Sequence, residues 1–209
     1  KFHSGKPADA AAVADFLSFF KATSFIATLA APVASYESEG DQLVVKMNNP
    51  WVGALGPHKT GYFRVLCMDT WNEAGGMEST TYGTEIADGT GPFTHEEFVP
   101  GSHVLVKRWE DYPGSNTEYF ENKGPAHLDA IRWTFIAEAS QRAVQLENDD
   151  IHTLKGPAPA DVSRLESDSD ITVYRFPEWS GYILTLNQDW DEYFGDVRVR
   201  AAIAHLIDR

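Results

Sequence analysis

An α plus β protein (α+β, mixed α/β) built on a mixed sheet is the fold class that this chain of 209 residues predicts. Three features of the sequence carry that reading. A helical period of apolar residues opens the chain, alternating apolar runs follow, and a second helical period closes it. With 43% hydrophobic and 12% aromatic residues, the chain can bury one sizeable core or two small ones.

Asp9 is placed to cap a helix over Ala10 to Ala22, on which Val13, Phe16, Leu17 and Phe20 recur on one face. Val33 to Glu37 and Leu43 to Met47 read as strands around a Gly40-Asp41 turn, with Leu43, Val45 and Met47 alternating against Gln42, Val44 and Lys46. Asn48-Asn49-Pro50 ends that pair. The pattern from Gly53 to Gly76 is mixed, and Glu73 to Gly91 is the longest stretch with no apolar period, so a boundary between two parts is placed near residue 89. Beyond it, strands are expected at Val104 to Trp109, Ile131 to Ile136, Ile171 to Phe176 and Tyr182 to Leu186, interrupted by a helix near Ser140 to Glu147. A last helix starts on Asp196 and presents Val199, Ile203, Leu206 and Ile207 as an apolar face, expected to pack on the strand from Tyr182 to Leu186. Arg209 suits the negative end of its dipole.

The formal charge of -14 and the pI near 4.8 argue against a nucleic-acid partner, because the 17 Lys and Arg residues are scattered. Cys67 is the single cysteine and lies in the apolar run Phe63 to Met68, which predicts a buried, inert thiol and excludes an intrachain disulfide. No stretch approaches the ~20 apolar residues that cross a bilayer. The start lacks the layout of a signal peptide, and an opening Lys1 in place of Met reads as a processed or excised piece.

The motifs of chemistry are largely missing. Gly89-Thr90-Gly91-Pro92 lacks the third glycine that would open a helix onto a pyrophosphate, so it reads as a tight turn into a strand. There is no Gly-x-Ser-x-Gly elbow, and Cys67 has no histidine nearby in sequence. Histidines 3, 58, 95, 103, 127, 152 and 205 include no pair at the i, i+4 spacing of a zinc helix. Asp189-Trp190-Asp191-Glu192 with Asp196 is out of register for a calcium loop. No metal site and no cofactor are expected. Six tryptophans and eight tyrosines are the richer signal, since flat rings with one polar handle suit a site for varied small ligands as well as a core.

Four stretches, in order, resemble solute-binding proteins of family 5, the oligopeptide, dipeptide and nickel binders of bacterial ABC importers. Lys1-Phe2-His3-Ser4-Gly5-Lys6-Pro7 is similar to the family's "K-F-H-D-G-x-P" turn, with Asp9 in the capping place and Ala12 where a reciprocal carboxylate would stand. Gly89-Thr90-Gly91-Pro92-Phe93, Val99-Pro100-Gly101, Lys107-Arg108 and Tyr112 resemble the "G-T-G-P-Y … x-P-G-x … x-R-N-x-x-Y" segment. Ile131 to Ile136, Ala139 to Leu146 and Asp149-Asp150-Ile151 resemble the strand, helix and "G-x-I-D" run, with Asn148 in the glycine's place and His152 in the aspartate's. Most specific is Leu186-Asn187 with Phe194-Gly195-Asp196-Val197-Arg198-Val199-Arg200-Ala201-Ala202-Ile203, closing on Ile207-Asp208-Arg209, against "F-N … P-F-D-D-x-R-V-R-x-A-I … x-D-R".

The resemblance implies a periplasmic-binding-protein-like fold covering only the middle of such a protein. Residues 1–89 would be an accessory subdomain and residues 90–209 a segment of the first lobe, ending at the crossover to a second lobe. It implies a binding protein, not an enzyme, which captures peptides or similar small solutes in the periplasm or outside the cell and delivers them to ABC permease subunits. Tethering of the parent to the membrane as a lipoprotein is compatible with this. Phe25, Trp179 and Tyr182 are the ligand-binding residues implied, Phe25 from the place of an aromatic that lines the peptide site and the other two from their position before a first-lobe strand. An oligosaccharide or metal chelate is the alternative ligand on the same scaffold, and a secreted hydrolase with convergent carboxylates is the remote one.

Overall fold

The computed structural model describes residues 1–23, 27–53, 63–115, 117–176, 183–189 and 192–207. Helix α1 (Ala10–Thr23) starts where Asp9 predicts, because the Asp9 Oδ1 atom accepts the Ala12 amide at 3.0 Å. Its Phe16, Leu17 and Phe20 are buried together with Ala14, and Val13 packs against that cluster. Strands β1 (Val33–Glu39) and β2 (Gln42–Met47) pair antiparallel through a tight turn at Gly40, whose φ of 66° favours glycine. Val33 and Tyr36 lie three apart yet both point into the core, because the register shifts between Val33 and Ser35. The alternation expected on β2 is therefore only partly realised: Met47 packs against the core, whereas Leu43 and Val45 are about one-third exposed, at 36% and 37%.

Helix α2 (Met68–Glu73) follows Cys67, which is buried as expected, and a short 3-10 turn (Gly76–Glu78) leads toward Asp88. Strands β3 (Phe93–Val99), β4 (His103–Arg108) and β5 (Ala130–Thr134) form a meander in that order. All ladders among the described strands are antiparallel, which differs from the mixed sheet expected. Short hairpin turns join β1 to β2 and β3 to β4, and such turns permit nothing else.

The chain divides into two compact units, Lys1–Glu138 and Ala139–Arg209. The second holds helices α3 (Ala139–Glu147), α4 (Pro159–Glu166), α5 (Glu192–Gly195) and α6 (Val197–Leu206). Helix α4 begins with proline in its first turn, a placement that costs no hydrogen bond, and buries Leu165, while α3 buries Ala143. Of the strands expected at Ile171 to Phe176 and Tyr182 to Leu186, the described residues 171–176 and 183–186 form none. Among the described residues, nothing pairs with the backbone of residues 172–176 or 183–187, and an extended segment without a partner is no strand. Tyr182 itself lies outside the described residues.

Asp196 caps α6 as predicted, but the expected burial of that helix is corrected. Val199 and Ile203 are half-buried, whereas Leu206 is 85% exposed. The described residues of this unit form no sheet to cover Leu206, so Leu206→Ala is expected to change stability by no more than about 0.5 kcal/mol in this chain, checked by urea denaturation.

Asp149 ends α3 with a φ of 61°, the one positive value among described non-glycine residues. Its amide donates to the Leu146 carbonyl at 3.2 Å and that of Asp150 to Gln145 at 2.9 Å, which tie off the last turn. The left-handed position is thus one residue beyond Asn148, where the resemblance put glycine. Asp149→Gly is expected to stabilise by about 1 kcal/mol, read as a rise in the denaturation midpoint.

Candidate ligand-facing surfaces

The three residues singled out for ligand contact, Phe25, Trp179 and Tyr182, all lie outside the described residues. What the structure does show is the ground on either side of them. Tyr174 and Phe176, just before the Trp179 segment, stack with ring centroids 6.2 Å apart and planes 14° from parallel, and both are about three-quarters exposed. Their i, i+2 spacing on an extended backbone puts them on one side. They line an open groove of about 1110 Å³ with an apolar part from Leu146, Ile151, Val162 and Leu165 and charges from Lys155, Asp168 and Asp170. Arg175 between the two rings is held by Glu166 at 2.7 Å. Such a groove has room and mixed polarity for a peptide-sized amphipathic solute.

Phe194-Gly195-Asp196-Val197-Arg198-Val199-Arg200 explains itself in physical terms. The Asp196 Oδ1 atom accepts the Arg198 amide at 2.8 Å, and both carboxylate oxygens accept from the Arg198 guanidinium. That guanidinium holds the Asp196 carboxyl below the usual range. The Arg200 Nη1 atom donates to the carbonyls of Phe194 and Gly195 at 2.7 and 2.9 Å, closing the end of α5. The motif is a mechanical joint between α5 and α6.

In the first unit, Asp88 is buried and gathers three segments. Its Oδ1 atom accepts the Ser4 amide at 3.0 Å, its Oδ2 atom accepts the Thr70 hydroxyl at 2.6 Å, and its carbonyl accepts the Cys67 amide at 3.1 Å. Burial by itself would raise its carboxyl, but hydrogen bonds from Ser4, Thr70 and Cys67 outweigh that and hold it below the ordinary aspartate range. A depressed value stabilises the fold above the unfolded pKa of about 3.9 and loses that contribution as pH falls through the folded value. Asp88→Asn is expected to cost about 2–3 kcal/mol at neutral pH and to flatten the acid limb of the stability profile. Denaturant titrations at a series of pH values check both.

The one arrangement with the outline of hydrolytic chemistry among the described residues is Ser102–His103–Glu97. The Ser102 hydroxyl lies 3.0 Å from His103 Nδ1, and His103 Nε2 lies 3.0 Å from Glu97 Oε2. However, the Arg132 guanidinium also points at Nδ1 from 3.2 Å, occupying the lone pair a general base would use, and the Ser102 amide is spent on Val99. The cluster is a polar tie across β3, β4 and β5. Among the described residues no three His, Cys, Asp or Glu side chains converge to hold a metal ion, and no helix is long and apolar enough to cross a membrane.

Comparison with solved proteins defines the class first. The chain superposes on the nickel ABC transporter protein of Bacillus halodurans with a TM-score of 0.71 and 26% identity, covering 100% of this chain and 40% of that one. It superposes on NikZ of Campylobacter jejuni, solved with Ni(L-His), with a TM-score of 0.78 and 19% identity, covering 99% and 40%. The fold is that of the periplasmic binding proteins. The family described as "Bacterial extracellular solute-binding proteins, family 5 Middle" matches residues 1–209, and the chain belongs to it. The dipeptide-binding protein of Escherichia coli (strain K12) is 24% identical over 121 residues, 58% of this chain and 21% of that protein. The chain thus spans about a fifth of that relative's length and two fifths of the solved ones'.

Proposed function

We propose that this chain is the middle part of the solute-capturing component of a bacterial ABC importer, which takes up peptides or similar small solutes in the periplasm or outside the cell and hands them to the permease. The observation that carries this reading is the family match over all 209 residues, joined by the dipeptide-binding relative. The groove beside Tyr174 and Phe176 supports it, because stacked exposed rings beside charged groups suit solutes with both apolar and ionic parts. On this reading residues 1–89 form the accessory subdomain and residues 90–209 the first-lobe segment. Phe25, Trp179 and Tyr182 line the cleft between lobes.

Binding is the work and no reaction is catalysed, in keeping with relatives that are transport binding proteins and with the Arg132 block on His103. Nickel chelates are a second reading, favoured by the superpositions on two nickel proteins. It requires metal donors from the solute or from outside the described residues. The test is a melting series on the full-length parent with di- and tripeptides, nickel–histidine and an oligosaccharide. A saturable rise with peptides, with the peptides recovered intact, is the expected result. A rise with nickel–histidine alone would replace peptide by chelate, and peptide hydrolysis would overturn the binding reading.

A further inference from the structure

Gly89-Thr90-Gly91 has two glycines in three residues and no apolar anchor of its own, a composition that favours a loose stretch. It also separates the accessory subdomain from the first-lobe segment of the proposed division, which is where a hinge would be sought. Three directed bonds with His3 hold it. The His3 amide donates to the Gly89 carbonyl at 2.9 Å, the Gly89 amide donates to His3 Nδ1 at 3.3 Å, and His3 Nε2 lies 2.9 Å from the Gly91 carbonyl. One tautomer, with the proton on Nε2, satisfies both ring contacts.

The ring then meets Trp109 edge-on at 4.9 Å and 86°, and the Trp109 amide reaches back to the Pro92 carbonyl at 2.9 Å. Lys1 places its ammonium 5.7 Å from the centre of the same indole. On the other side of the glycines, Asp88 binds Ser4, Cys67 and Thr70, and Phe2 is fully buried. The N-terminal turn therefore grips both ends of the glycine stretch at once.

We infer that His3 welds the N-terminal turn to Gly89–Gly91 and Trp109, so that the N-terminal turn and α2 on one side of the glycines move as one body with β3 and β4 on the other, and no hinge operates at the glycines. If the parent closes around a solute, the bending occurs elsewhere in the chain. The weld involves residues 1–109 alone and holds whichever solute is bound.

Cys67 is the reporter. It is the only cysteine, it is 2% exposed, and its amide is bonded to Asp88, so opening of the glycine stretch uncovers its thiol. In the 209-residue chain, His3→Ala is expected to accelerate labelling of Cys67 by a disulfide reagent at least about tenfold under native conditions, beyond the change in its global unfolding constant. Labelling within about twofold of the unaltered chain, or acceleration equal to the change in global unfolding, overturns the weld. Hydrogen exchange in the unaltered chain gives an answer that needs no variant. The amides of His3, Ser4 and Gly89 are expected to be protected as strongly as those of β3 and β4. Exchange at the rate of an open loop would sink the proposal.

Discussion

Phe20→Ala is expected to lower the stability of the chain by about 3–5 kcal/mol, a large share of the ~5–15 kcal/mol that holds a typical domain folded. Phe20 sits where three parts of the first core meet. It is 8% exposed, its ring lies 6.1 Å from that of Phe16 one turn back, and Phe63 covers it at 4.6 Å. The same cluster takes in Val33 and Tyr36 from β1. Truncation removes the ring and leaves a hole that α1 cannot close without losing its seat on the hairpin. Phe176→Ala removes the same atoms from a site that is 75% exposed and is expected to shift stability by less than about 0.5 kcal/mol. Urea denaturation followed by far-ultraviolet circular dichroism checks the pair, and equal effects would contradict the packing described.

The contrast between those two phenylalanines shows what was legible in the sequence. Helix α1, the hairpin around Gly40, the strands β4 and β5, and the caps at Asp9 and Asp196 could be read directly, because each depends on residues within a few positions of one another. Periodicity could not show whether a partner exists. Ile171 to Phe176 has the β-branched and aromatic residues of a strand, yet among the described residues nothing pairs with the backbone of 172–176, and Leu206 keeps helical spacing but is left exposed. The bulge at Val33 escaped because an inserted residue breaks period two without leaving a mark. Helix α4 carries a readable signal of its own, Pro159 at its start with Val162 and Leu165 spaced three apart, but it is too short for a full apolar period to stand out. Of the candidate site, the sequence named residues the structure does not describe, while the Asp88 and His3 network went unseen because it joins positions more than eighty apart.

A peptide is expected to bind the 209-residue chain at least about 100-fold more weakly than it binds the full-length parent. Well-formed pockets enclose ~70–90% of a drug-sized ligand, whereas the groove here is open and its two rings, Tyr174 and Phe176, remain 74% and 75% exposed. Two orders of magnitude correspond to about 2.8 kcal/mol, which at ~25 cal/mol per Å² is the burial of only ~110 Å² of apolar surface. One aromatic side chain closing over the ligand from the far side supplies more than that. The cost of immobilising the peptide, by contrast, is the same in both proteins, so the attraction of a second wall adds to the parent's affinity undiminished. On the proposed reading the second wall belongs to the rest of the parent protein, since this chain spans two fifths of its solved relatives' length. Calorimetric titration of both proteins with one peptide decides the matter, and equal affinities would place the whole site within residues 1–209 and end the two-lobe account of capture.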